Sequence, residues 1–187
     1  VGLTLKIILM KKIVLALLVG FFGFAQETEF KFSKEGFTDF VVTEVAGKTQ
    51  SELYKKAIDW VAVTYKNPKE VIKAQIENDY IRITGVSDNL LLFNAMGKKY
   101  YSADYTIEIS FKDGKYKFDV TSVNLLGTNS EPKMELQNMN EYYKSNGEIK
   151  STYKYFPDTF PKFFNDLNKE LEAFLKSDAI PSKKSDW

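Results

Sequence analysis

Residues 105–120 read YTIEISFKDGKYKFDV, two alternating segments on either side of Asp113-Gly114. Within Tyr100 to Phe111 and Lys115 to Val123, apolar and polar side chains take turns, the period of a half-buried strand. Asp-Gly between two such runs predicts a two-residue hairpin loop, expected as a type I′ turn. That turn sets Phe111 opposite Tyr116, Ile109 opposite Phe118 and Ile107 opposite Val120, so one face of the hairpin is wholly apolar. The same register leaves a polar face and puts Glu108 directly opposite Asp119.

Working outward, Val71 to Glu77 and Tyr80 to Gly85 flank Asn78-Asp79, and a two-residue turn there pairs Ile76 with Ile81 and Ala74 with Ile83. Phe40 to Val45 reads as an earlier strand, and Leu90 to Phe93 as a short extra strand or a loop. Two amphipathic helices bracket this strand-rich middle. The first starts at Thr49, whose spacing to Glu52 makes a capping box, runs Leu53, Ala57, Val61 and Tyr65 along one stripe, and stops before Asn67-Pro68. The second follows Pro157 and carries Phe160, Phe163, Phe164, Leu167, Leu171, Phe174 and Leu175 at helical spacing, with Asn165, Asp166, Lys169 and Glu172 elsewhere around the cylinder. The order is β, α, several β, α. An antiparallel sheet with both helices on one side and an open opposite side satisfies it. The expected members of the open face are Lys73, Gln75, Glu77, Arg82, Thr84, Asp104, Thr106, Glu108, Lys117, Asp119 and Thr121.

The N-terminal region has a different character. From Met10 the chain reads MKKIVLALLVGFFGFA: Lys11 and Lys12 precede an apolar run, Ile13 to Phe24, with Gly23 and Ala25 as small residues at the cleavage positions. Residues 1–25 are expected to be an export signal, with 1–9 an upstream extension. The run is too short to span hydrocarbon as a helix, so no integral span is expected after cleavage, and residues 26–187 read as a single α+β domain placed in the periplasm. Removing Lys6, Lys11 and Lys12 from the 26 basic residues leaves 23 against 25 acidic ones, a net charge of −2 for that domain. Such a balance argues against nucleic acid as a partner. The chain has no cysteine and no histidine. That excludes disulfides, thiolate and imidazole metal sites, and nucleophiles activated by histidine. Fifteen Phe and 11 Tyr supply a core without cross-links.

The segment TDFVVTEVAGKTQSELYKKAIDWV (38–61), the Tyr80–Gly85 strand, the Tyr105–Ile109 strand leading into FKDGKY (111–116), and the terminal Ser185-Asp186-Trp187 together resemble the bacterial domain of unknown function 4468, a family with a TBP-like fold. The resemblance covers most of 37–187. It implies a β-α-β(4)-α arrangement, a curved antiparallel sheet with two helices packed on one face. It implies no activity and no catalytic residues. The TATA-binding protein uses its concave sheet for DNA, but the near-neutral face and the export signal argue against that use here. Trp187 either packs back onto the domain or is an exposed anchor, and the resemblance favours packing.

Candidate binding residues are Arg82, Glu108, Lys117, Asp119, Tyr142 and Tyr143. Like charges placed opposite each other destabilise a hairpin, so something must lie between Glu108 and Asp119. Lys117 or Arg82 is the expected answer; a bound divalent cation or a proton shared for acid and base chemistry is the alternative. Tyr142 and Tyr143 sit in Thr128 to Phe156, a long segment with a short helix expected around Lys133 to Lys144 and a candidate contact region for a carbohydrate or protein. The functional expectation is a noncatalytic binding or accessory module of the cell envelope, with no cofactor and no metal, whose partner is an unknown envelope protein or carbohydrate. A structural protein self-associating as a homodimer is the alternative. A carboxylate-dependent hydrolase is the most distant one: carboxylates about 5 Å apart suit a retaining glycosidase, but no second acidic motif accompanies them.

Overall fold

A computed structural model describes residues 28–127 and 133–178. The expected export signal, Thr128 and the terminal Ser185-Asp186-Trp187 lie outside these residues. The β6–β7 hairpin, Lys98–Lys112 and Lys115–Leu125, is central, and its register is the expected one, with Phe111, Ile109 and Ile107 facing Tyr116, Phe118 and Val120. The turn is not type I′. That turn needs positive φ at both central residues, and Gly114 alone has it, at 74°. The Asp113 carboxylate is used elsewhere: Oδ1 accepts the Gln50 backbone N–H at 2.8 Å, at the first turn of helix α1, Gln50–Thr64. Gly114 adds two backbone bonds to the preceding loop, donating to the Lys48 carbonyl (2.9 Å) and accepting from Val45 N–H (2.7 Å). The hairpin tip is thereby clamped to the start of α1. The Thr49 and Glu52 capping box closes the same helix end, with the Thr49 N–H donating to Glu52 Oε2 at 2.7 Å.

Strand β3, Phe40–Glu44, pairs with β7; β5, Tyr80–Asn94, pairs with β6; and β4, Ile72–Ile76, lies beyond β5, so the antiparallel order is β3-β7-β6-β5-β4. This is the expected β-α-β(4)-α sequence of elements with two additions. A minimal hairpin of β1, Phe32–Ser33, and β2, Gly36–Phe37, precedes it, and a single helical turn α2, Pro68–Val71, leads into β4. Leu90 to Phe93 is neither loop nor separate strand; it continues β5 past an irregularity between Ser87 and Leu91.

The β4–β5 register differs from expectation by one residue. Ile76 pairs with Tyr80, Gln75 with Ile81 and Ala74 with Arg82, because the loop has three residues, Glu77 to Asp79, rather than two. Asn78 takes φ 64°, a left-handed conformation asparagine tolerates, and Asp79 N–H closes the turn onto the Ile76 carbonyl at 3.0 Å. A one-residue slip moves every side chain to the other face. Ala74 and Ile76 therefore belong to the open face and Gln75 does not, Lys73 is the extra residue of a bulge between Ile72 and Ala74, Glu77 sits in the loop, and Ile76 is 60% exposed.

Both helices pack on the same side of the sheet. From α1, Leu53, Ala57 and Val61 are buried as expected, joined by Tyr54 and Trp60. From α3, Phe156–Lys176, the buried line is Phe156, Phe160, Phe164, Leu167, Leu171 and Leu175. Phe30, Phe32 and Phe37 from the N-terminal segment join it: Phe30 stacks on Phe37 at 5.4 Å, and Phe37 meets the Phe160 ring at 5.1 Å. Two asparagines of α3 hold neighbouring backbone and sheet in place. Asn165 brackets Phe30, accepting from its N–H (2.7 Å) and donating to its carbonyl (3.0 Å). Asn168, buried, accepts from the Tyr116 hydroxyl at 2.8 Å and donates to Thr43 Oγ1 at 3.2 Å, tying α3 to β7 and β3.

Gly85 in β5 answers to Tyr105 directly across on β6. A Cβ at Gly85 would lie 2.5 Å from the tyrosine ring and hydroxyl. That ring cannot swing away, being buried, packed edge-on to Phe163 and Phe164, and within 3.1 Å of the Tyr65 hydroxyl through its own. Gly85→Ala is therefore expected to lower unfolding free energy by about 1–3 kcal/mol, the range for overpacking a filled core. Urea denaturation checks this, and a variant as stable as the parent would mean the ring has room to move.

Candidate functional site: the open sheet face

The cross-strand registers arrange the outward side chains in rows. One row runs Phe40, Asp119, Glu108, Arg82, Ala74 from β3 to β4; the next runs Val42, Lys117, Ser110, Tyr80, Ile76. The Glu108–Asp119 rung is present as the hairpin alternation requires, and each acid has its own cation. Arg82 Nε and Nη2 reach Glu108 Oε1 at 2.8 and 2.7 Å, and Lys117 Nζ lies 3.3 Å from Asp119 Oδ2. Two ion pairs thus answer the like-charge problem from within the chain. Among the described residues no three carboxylate, imidazole or thiolate groups gather where they could hold a metal ion.

The two acids differ in surroundings. Burial pushes the Asp119 carboxyl above its ordinary pKa; Lys117 pulls it back down, and Glu108 and Asp39 push it further up. Tyr80, beside Glu108, is raised as well, first by burial and then by its hydrogen bond to that carboxylate. Lys117 also lies 5.1 Å above the Phe40 ring. A row lower, at the hairpin tip, Lys112 stands directly opposite Lys115. Phe40, Val42, Ser110, Lys112, Lys115 and Lys117 line a hollow of about 320 Å³ there, with Tyr116 at its base.

Of the six candidate residues the structure unites four: Arg82, Glu108, Lys117 and Asp119 form one patch at the centre of the face. The two tyrosines lie on the other side, in the helix layer. Tyr142 is fully buried against Phe32, Tyr153 and Phe156 and offers no surface to a ligand, which corrects the expectation of a contact residue there. Its hydroxyl finds no hydrogen-bond partner among the described residues, and burial raises its pKa well above the ordinary phenol. Tyr143 is half-buried and stacks on Phe32 at 6.3 Å. The expected helix around Lys133 to Lys144 is instead one 3₁₀ turn, Met139–Glu141, with a second at Ser151–Tyr153. Residues 133–137 run beside β7 where β3 has ended: Met134 N–H donates to the Val123 carbonyl at 2.8 Å, and Gln137 Nε2 donates to Asp39 at 2.7 Å. The segment is largely packing.

Sequence reasoning missed the hollow. Its signal was available in the alternation, since Lys112 and Lys115 follow from the Asp113-Gly114 turn as surely as Glu108 and Asp119 do.

A sheet carrying two helices on one face and an open, charge-patterned surface on the other is a TBP-like module. Residues 40–125 match the family described as a domain of unknown function, DUF4468, with TBP-like fold, so the resemblance read in the sequence holds over that stretch. Two solved structures share the fold. One is a DUF4468 family protein from Bacteroides ovatus, 12% identical, with a TM-score of 0.58 over 80% of this chain and 90% of that one. The other is a TBP-like protein from Parabacteroides distasonis, 15% identical, with a TM-score of 0.54 over 74% of this chain and 91% of that one. No curated protein matches the chain.

The raised Asp119 fixes a pH prediction. A carboxyl whose folded pKa exceeds its unfolded one opposes folding when ionised, and that opposition disappears as pH falls below the unfolded pKa. Asp119→Asn is expected to raise the urea midpoint at pH 7, with the gain vanishing below about pH 3, where Asp119 is protonated in both states. A gain that persists unchanged at low pH would place its origin outside this carboxylate.

Proposed function

We propose that this protein is a noncatalytic, exported binding or accessory module of the cell envelope that acts through the open face of its sheet. The observation that carries this reading is the surface itself: Phe40 (41% exposed), Ile76 and Val86 (64%) stand on an uncovered sheet whose central charges, Arg82–Glu108 and Lys117–Asp119, are already neutralised in pairs. Apolar side chains around a neutral polar centre suit a contact surface, because little desolvation of unpaired charge opposes association. Export rests on the Lys11-Lys12 and Ile13 to Phe24 pattern, and the net charge of −2 on the chain after residue 25 speaks against nucleic acid. For a hydrolase, Glu108 and Asp119 would need to be free to exchange protons with a substrate; both are held by cations, and no histidine or cysteine is present to assist. Among the described residues no helix is long and apolar enough to cross a membrane. The reading therefore takes an envelope protein or a carbohydrate as partner.

Site-specific photocrosslinking in cells tests the face. A benzophenone side chain at Thr106, at its centre, is expected to give a discrete adduct, while the same group at Lys162 on the exposed side of α3 gives none. An adduct of twice the chain mass from Thr106 would replace the accessory reading with self-association. Equal labelling from both positions, or none from Thr106, would remove the open face as the working surface.

A further inference from the structure

We propose that the hollow at the hairpin tip binds a small amphiphilic anion, its apolar body against Phe40 and Val42 and its charged head between Lys112 and Lys115. The proposal rests on the open-face reading and specifies a ligand class for one corner of that face.

Two rungs of the same hairpin carry like charges. Glu108 opposes Asp119, and Lys112 opposes Lys115. Directly opposed like charges destabilise an antiparallel pair. The acidic rung is relieved by Arg82 and Lys117. The basic rung is not: neither Lys112 nor Lys115 forms an ion pair with any described residue. Neither nearby carboxylate forms an ion pair with them. Asp113 accepts the Gln50 N–H at the start of α1. Glu44 stands beside Lys115 in the β3–β7 register and is exposed, but it makes no ion pair with either lysine. An anion from outside the chain is the missing partner.

The surroundings restrict what kind of anion. The floor is apolar: Phe40 is unusually exposed for a phenylalanine, and Val42 is half-buried beside it. Lys117 lies over the Phe40 ring and remains tied to Asp119, so it walls the hollow without leaving a third free charge. Ser110 contributes a hydroxyl. A bare inorganic ion would leave the aromatic floor wet, whereas a neutral apolar molecule would leave two ammonium groups facing each other. A carboxylate or sulfonate on a hydrocarbon or aromatic body satisfies both, and about 320 Å³ lies at the lower end of small-molecule sites.

Isotope-labelled protein recovered after export, titrated with sodium decanoate below its micellar concentration and followed by amide NMR, tests this. Saturable shifts are expected at Phe40, Val42, Ser110, Lys112 and Lys115. Acetate, lacking the body, and decanol, lacking the charge, are each expected to bind at least about tenfold more weakly, and the double variant Lys112→Gln/Lys115→Gln to lose about tenfold in decanoate affinity while keeping its spectrum elsewhere. Decanoate binding that is absent, centred elsewhere, or unchanged in the double variant overturns the proposal. Binding to phosphatidylglycerol vesicles without binding to free decanoate also overturns it, assigning the lysines to a lipid surface. If decanoate fails while the Thr106 photoadduct survives, only the ligand class falls; loss of both removes the open-face reading with it.

Discussion

The structure depends on the register of the β6–β7 hairpin. Its alternation puts Ile107, Ile109, Phe111, Tyr116, Phe118 and Val120 on one side, and a slip by a single residue would send that whole set into water. The turn that holds the register is itself held. Asp113 caps α1, and Gly114 bonds on both sides of the loop that leads into it, so the two-residue connection fixes strand pairing and helix placement together. Because β3 pairs with β7 and β5 with β6, the positions of both flanking strands follow from the same hairpin.

On the buried side, packing is largely aromatic, and a few polar groups orient it. Rings such as Phe32, Phe37, Phe156, Phe160 and Phe164 meet edge-on or stacked at 5–6 Å, the arrangements their quadrupoles favour. Apolar contact alone leaves the rotation of a helix over a sheet loosely specified. Asn168, reaching both Tyr116 and Thr43, and Asn165, holding Phe30 by both backbone groups, select one rotation of α3. On the open side, the same alternation produces opposed like charges at two rungs. The chain resolves the acidic rung with Arg82 and Lys117, while the basic rung has no ion pair among the described residues.

Much of this was legible in the residues. Period-two alternation and Asp113-Gly114 specify the central hairpin, the Thr49–Glu52 spacing specifies the start of α1, and the Phe-rich stripe specifies the buried line of α3. Most of the differences have one cause, that local signals do not weigh distant contacts, and the turn at Asn78 is a local exception. Asn78-Asp79 looks like a two-residue loop until Asn78 adopts φ 64° and admits a third residue. Tyr142 and Tyr143 look like contact residues in a polar segment until Phe32, from far along the chain, covers them. Leu90 to Phe93 has too little alternation to declare itself as the continuation of a strand; Leu90 and Leu91 join the core there, and Leu92 is buried as well.

By itself the sequence determined the element order, the central register and the opposition of Glu108 to Asp119, because side-chain period, turn chemistry and capping act over a few residues and need no knowledge of the rest. Tertiary structure decided which cation meets which acid, which tyrosines are buried, and that Phe40 and Val42 on β3 come to lie beside Lys112 and Lys115. Those outcomes depend on strands some 70 residues apart in the chain being neighbours in the sheet, and pairing at that separation is set by the summed packing of the whole core rather than by any local pattern.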